Sequence, residues 1–323
     1  MILRGLSAFI ALLLSTVVLA TDVSLDSART QFFAMHTEEA QRQFEALRLQ
    51  NPDDAEILYY LGYLQLRQYH RKAAVKLMRR AVELKPDVVD FRIGVCEAIG
   101  AYIDDVPFYR QIGLAREVHE HLLAGLKIDS KSIEVHDGLM KFYLGAPALM
   151  GGGHDKAVAE AAQIAVLNPS RGYVATGLIA VSDKHYGDAE RDFRAAIQVA
   201  PNDPLARYEL GKVQLTRKHF DAAFETFEEV MQKLPKETAA YYYYADTAAR
   251  SGQRMERGAE KINLYLALGP MTDNDPSAVD AYQVQGRLAE FSSKPDAARS
   301  AYQMALKLDP DNTAAAKALR KLD

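Results

Sequence analysis

The sequence predicts an all-α fold: a right-handed superhelix (α-solenoid) of about seven to eight helix pairs, ended by a C-terminal capping helix. Three observations lead there. A phrase ending in proline recurs, as Ala81-Val82-Glu83-Leu84-Lys85-Pro86, Ala196-Ile197-Gln198-Val199-Ala200-Pro201 and Ala305-Leu306-Lys307-Leu308-Asp309-Pro310. The punctuating residues Pro52, Pro86, Pro169, Pro201, Pro235, Pro270 and Pro310 are spaced by 34, 83, 32, 34, 35 and 40, and the gap of 83 hides one more unit ending at Ile128-Asp129-Ser130. Side-chain size also keeps register with proline. Twelve residues before it stands Ala40, Ala74, Ala157, Ala189, Ala223, Gly258 or Ala298, and eight before it Phe44, Met78, Ala161, Phe193, Phe227, Ile262 or Tyr302. Twenty-four before it, four units carry Gly62, Gly177, Gly211 and Gly286. A period near 34 suits a helix–turn–helix unit, which cannot bury its apolar face alone and stacks on its neighbours.

Each element follows in order. Arg4 and the apolar run from Leu6 to Leu19 read as a signal peptide over residues 1–20, with cleavage expected after Ala20. The run is short for a membrane span, so no span is expected in the mature chain. Residues 21–323 form the solenoid. Its first unit, before Pro52, has a poorly marked first helix, as a capping repeat would. In the following units Gly and Ala are expected where the two antiparallel helices touch. The large residue is expected to fill the hole toward the next pair, and proline stops the second helix by lacking an N–H. Two insertions break the period, near 100–113 and 145–155, and both are expected on one edge. Thr313 to Leu322, Ala-rich and ending in Arg320 and Lys321, reads as the capping helix.

Many of these positions match over several units, and the mature chain resembles the tetratricopeptide-repeat family, in particular secreted bacterial members. The large residue at the fourth repeat position departs from the family's Trp, being Leu58, Tyr173, Tyr241, Tyr282 and, in one unit, Arg207. The resemblance implies that the first helix of each pair lines a concave face and that this face binds protein or peptide partners. Repeat positions then place Tyr59, Tyr63, Arg67, Arg171, Tyr208, Lys212, Tyr242, Arg250 and Arg287 inward. Tyr59 and Tyr63 stand where the chaperone carboxylate clamp needs Lys and Asn, so recognition of a chaperone tail is not implied.

Composition excludes other classes. The formal charge of -4 gives no support to nucleic-acid binding. Cys96 is the single cysteine, which excludes an intramolecular disulfide and reads as a buried, inert thiol. No HExxH, GxSxG, P-loop or CxxC occurs, so no enzyme activity, cofactor or metal is expected. His70, His185 and His219 recur in the turn inside the pair, where coincidence of turn position outweighs metal binding because no carboxylate or cysteine recurs with them.

The function expected is a non-catalytic extracytoplasmic scaffold in a bacterial periplasm. Inward tyrosines are low-entropy contact residues, and the inward charges lean basic, which suits an extended acidic or mixed polypeptide segment. Packing of the tyrosines on one another is the alternative. Val106, Phe108, Tyr109, Leu149 and Met150 in the insertions are expected to form a separate apolar contact. An accessory subunit of an envelope enzyme complex, or a small-ligand binder using the inner tyrosines, are the competing readings.

Overall fold

The computed structural model describes residues 23–322; the signal peptide expected over residues 1–20 lies outside them. Among the described residues the chain is seventeen α-helices with no strand. They run as eight antiparallel pairs, first helix then second. The pairs are α1 (Leu25–Phe33) with α2 (Thr37–Gln50), α3 (Ala55–Arg67) with α4 (Arg71–Leu84), α5 (Val89–Tyr102) with α6 (Phe108–Ile128), and α7 (Ile133–Gly145) with α8 (His154–Leu167). They continue as α9 (Pro169–Ser182) with α10 (Tyr186–Val199), α11 (Leu205–Thr216) with α12 (Phe220–Lys233), α13 (Ala239–Ser251) with α14 (Met255–Leu268), and α15 (Ala278–Phe291) with α16 (Pro295–Leu308). The cap α17 spans Thr313–Arg320. The first helix α1 is the short, weakly marked one.

Local chemistry sets the ends. Asp54, Ser132, Asn168 and Asn312 accept backbone N–H bonds at helix starts, and Ser277 with Asp280 forms a capping box. Five of the eight turns inside the pairs share one geometry. Met35, Tyr69, Lys184, Lys218 and Ser293 take left-handed φ between 54° and 61°, and the next residue, His36, His70, His185, His219 or Lys294, donates its backbone N–H to the carbonyl five residues back in the first helix. This is a Schellman closure made with non-glycine residues. The recurring histidines therefore mark a backbone position.

The periodic residues form the core. The alanines at the −12 position (Ala40, Ala74, Ala157, Ala189, Ala223 and Ala298) are fully buried, as are Phe44, Met78, Phe193 and Phe227 at −8. The large residue reaches toward the next pair: Phe227 stacks on Tyr243 of α13 at 5.4 Å between ring centroids, and the Met78 sulfur would lie 3.4 Å from a Cβ on Gly94 of α5. It also lies on the glycine of its own unit: a Cβ on Gly62, Gly177, Gly211 or Gly286 would stand 2.6, 2.5, 2.3 or 2.5 Å from Met78, Phe193, Phe227 or Tyr302. The missing side chain lets the large residue lie against the partner helix, which is what holds the pair at close range.

Repeat solenoids are built from nearest-neighbour contacts, and this chain adds a long-range one. The turn after α3 meets the C-terminal pair. Arg71 pairs with Asp309 at 2.9 Å, and Arg67 holds Asp273 with two bonds of 2.6 and 2.9 Å. Tyr69 packs into the cluster containing Val279, Tyr302 and Ala315. The superhelix thus closes on itself across more than 200 residues of sequence.

Candidate functional site

The first helices α5, α7, α9, α11 and α13 present their inward faces to one groove of about 1060 Å³. The α14–α15 loop, residues 269–277, forms its remaining wall through Thr272, Asn274 and Asp275. That loop is fastened. The Tyr265 hydroxyl donates to the carbonyl of Pro276, Thr238 donates to the carbonyl of Gly269 at 3.0 Å, and the Asp275 carboxylate accepts from the N–H groups of Met271 and Thr272.

The tyrosines form ring clusters. Tyr59 meets Tyr63 at 5.0 Å and Phe91 at 4.9 Å between ring centroids, and Tyr242 meets Tyr243 at 5.3 Å and Tyr265 at 5.8 Å. Tyr208, only 9% exposed, leans on Tyr243. Edge and tilted contacts of this kind stabilise the fold beyond area burial. Two of the hydroxyls bind groove carboxylates: Tyr63 donates to Glu97 at 2.6 Å and Tyr208 to Glu237 at 3.3 Å. Burial first, and the neighbouring carboxylates second, push both phenols far above their usual range, so they remain donors.

The cations distribute differently from the basic lean read in the sequence. Arg67 lies over the Phe32 ring and is committed to Asp273. Lys212 pairs with Glu209 at 2.6 Å, and Arg250 and Arg287 both hold Asp246, at 2.8 and 2.7 Å. Among the described residues, Arg171 is the predicted groove cation with no ion-pair or hydrogen-bond partner for its side chain. Against it stand Glu97, Glu134, Glu237 and Asp275, which line the groove without a cation in ion-pair range. Sequence position could locate the inward charges but not cancel them, and it missed the carboxylates of Glu97, Glu134 and Glu237. The groove is acidic. Burial raises the pKa of Glu97 against the hydrogen bond from Tyr63; Asp273 adds to the rise and Lys141 opposes it.

Both insertions connect the first helix of a pair to the second. Near 100–113, α5 runs on to Tyr102, a 3-10 turn follows at Ile103–Asp105, and the rest becomes the extended start of α6. Phe108 and Tyr109 are 66% and 69% exposed, but Val106 is 7% exposed and offers no surface contact, because it turns inward as the floor of a cleft. Near 145–155, a 3-10 turn at Ala148–Met150 leads to Gly151 with φ 99°. Leu149 is 91% exposed and Met150 half-buried. Gly152 is required there, since a Cβ would lie 1.7 Å from the Ala146 carbonyl oxygen. His119 stacks on Phe142 at 4.8 Å beneath this loop, and its ring nitrogen is 3.1 Å from the Tyr143 hydroxyl.

Cys96 is half-buried beside the groove and packed against α6; burial, then the nearby carboxylates of Glu97 and Glu117, pushes its thiol up to about 12. Among the described residues no group of three His, Cys, Asp or Glu side chains is placed to hold a metal, and no helix is long and apolar enough to cross a membrane.

Family models described as tetratricopeptide repeat match residues 25–89, 174–238 and 279–312, together just over half of the chain. No functionally curated protein matches the sequence. Among solved structures, yeast Tom70 is similar with a TM-score of 0.63 at 16% identity, over 92% of this chain and 59% of that one. A thermophilic TPR protein of Thermus thermophilus is similar with a TM-score of 0.50 at 22% identity, over 59% of this chain and 97% of its own. At these identities the likeness is one of fold.

Proposed function

This chain belongs to the tetratricopeptide-repeat family, and from that premise we propose that it is a non-catalytic scaffold holding a segment of a polypeptide partner in its concave groove. The observation that carries the reading is the groove of about 1060 Å³ walled by five successive first helices, with four carboxylates lacking a cation facing one unpaired arginine. A groove of one sign attracts the opposite sign even when the rest of the surface is mixed. The segment is therefore basic or mixed, with an acidic residue for Arg171, and not the predominantly acidic one that the sequence suggested. The inner tyrosines pack on each other and contribute hydroxyls, which weakens the case for a small ligand stacked between their rings.

The test is fluorescence anisotropy with labelled Lys- and Arg-containing peptides against Asp- and Glu-containing counterparts of equal length. Replacing Glu97 and Glu237 together by Gln is expected to weaken basic-peptide binding about tenfold or more. Arg171→Gln is expected to strengthen it. Equal binding of the basic peptide by the wild type and the double Gln variant would remove the groove as the site.

The same reading includes export. The apolar stretch from Leu6 to Leu19 and the small residue at Ala20 support cleavage that releases a chain starting at Thr21 into a bacterial periplasm. N-terminal sequencing of the protein from the native host checks this; an intact Met1 in the membrane fraction would exclude it.

A further inference from the structure

The first insertion builds a second cavity, separate from the groove. It measures about 600 Å³ and lies between α4 and the extended start of α6. Val75 and Val106, both buried, form its floor with Tyr102 and Leu114. Its rim is cationic: Lys72 and Lys76 stand on α4, and Arg110 on α6. No carboxylate lines it. Asp105, which pairs with Arg71 at 3.8 Å, and Asp311 line an adjoining cleft that Lys72 and Lys76 share, and Glu117 forms a two-pronged pair with Arg79 at 2.6 Å. Among the described residues Lys72, Lys76 and Arg110 have no ion-pair partner. The cleft is therefore an apolar slot with unneutralised positive charge on both walls.

We propose that this cleft is a second binding site, which takes a short polypeptide segment carrying one large apolar anchor residue flanked by carboxylates on both sides. The volume falls in the range of preformed sites that enclose a small apolar body. Lys72 and Lys76 are one helical turn apart, about 6 Å along α4, and Arg110 faces them from α6. Charges on two walls match a chain that runs across the slot with acids before and after its anchor. A single-headed amphiphile would answer only one wall. Phe108 and Tyr109, exposed beside the rim, extend the apolar contact past the slot. Arg110 sits 6.0 Å from the Tyr109 ring centroid. A peptide occupant also agrees with the protein-binding character of the fold. This site selects acidic segments while the groove selects basic ones, so the two do not compete.

Gly113 supplies a sharp test. It lines the cleft, and a Cβ there would meet nothing within 4 Å. Gly113→Phe should plug the slot while favouring the helix, because glycine is a poor interior helix residue. The probe is a fluorescein-labelled peptide with a central Phe between Asp and Glu residues, read by anisotropy at about 0.15 M salt, where distant surface charge is screened. The mature protein is expected to bind it. Gly113→Phe, and separately Lys72→Glu with Arg110→Glu, are each expected to weaken it about tenfold or more without lowering the melting temperature. The Glu97→Gln, Glu237→Gln variant is expected to bind it as the wild type does. The proposal is overturned if the peptide does not bind, or if Gly113→Phe binds it unchanged. It is equally overturned if a Ser-for-Phe peptide binds as well, which would mean bulk electrostatics. Tight displacement by dodecanoate or by anionic vesicles would assign the slot to a lipid instead.

Discussion

The closure between the turn after α3 and the C-terminal pair can be opened by charge. Asp309 keeps 5% of its side chain exposed and has Arg71 as its cation at 2.9 Å. At an effective dielectric near 20, a pair at that distance gains about 6 kcal/mol of Coulomb energy, most of it offset by the desolvation of both groups. Removing one partner of such a pair costs about 3–5 kcal/mol, because the other charge stays buried and unpaired. In Arg71→Glu the new carboxylate faces both Asp309 and Asp105. The chain has a cheaper response than global unfolding: the two ends can separate and hydrate Asp309. Loss of global stability is then capped by the strength of the closure, and the ends move apart instead. Spin labels on cysteines placed at Lys72 and Lys317, both exposed, would read this as an electron–electron distance distribution. Cys96→Ser in the same background leaves only the two placed thiols to label. The wild type should give one narrow distance and Arg71→Glu a longer, broader one. The swap Arg71→Asp with Asp309→Arg should recover much of the short distance. An unchanged distribution in Arg71→Glu would show that Tyr69 and the Arg67–Asp273 pair hold the closure without the Arg71–Asp309 contact.

Other expectations follow from packing and titration. Gly211→Leu places a side chain where even a Cβ would be 2.3 Å from the Phe227 ring; it should destabilise by about 1–3 kcal/mol or more, and an unaltered melting curve would refute the helix contact. Burial alone would raise Glu117, but His121 at 3.8 Å and the two hydrogen bonds from Arg79 hold it down to about 2. A carboxyl depressed in the folded state contributes stability above its ordinary pKa of 4.5, and that contribution is lost as pH falls toward 2. The melting-temperature gap between wild type and Glu117→Gln should therefore be full near neutrality and close between about pH 4.5 and 2. A gap independent of pH would assign Glu117 a packing role only.

Much of the fold was legible in one dimension because a repeat writes its core as a period. The prolines marked the ends of second helices, the alanines at −12 gave fully buried core positions, and Thr313 to Leu322 read as the cap; each depends on residues near in sequence, where helix geometry converts spacing into direction. The glycine–aromatic pairs show where the limit begins. Their spacing was visible, but that Phe227 touches both Gly211 of its own unit and Tyr243 of the next depended on the packing of three helices.

The candidate site was less legible for the same kind of reason. Repeat position put Arg67, Lys212, Arg250 and Arg287 on the inner face, yet whether a charge is free depends on partners across space. Asp273 reaches Arg67 from 206 residues away, and Asp246 neutralises two arginines at once. Val106 looked like a surface contact in an insertion, and only the return of α6 over α4 turned it into the floor of a cleft. By itself the sequence determined the helices, their pairing and their order, since these follow from local periodicity and nearest-neighbour burial. The tertiary structure alone decided the sign of the groove, the closure of the superhelix and the existence of the second cavity, because electrostatic pairing and enclosure are set by distances between residues that no sequence spacing encodes.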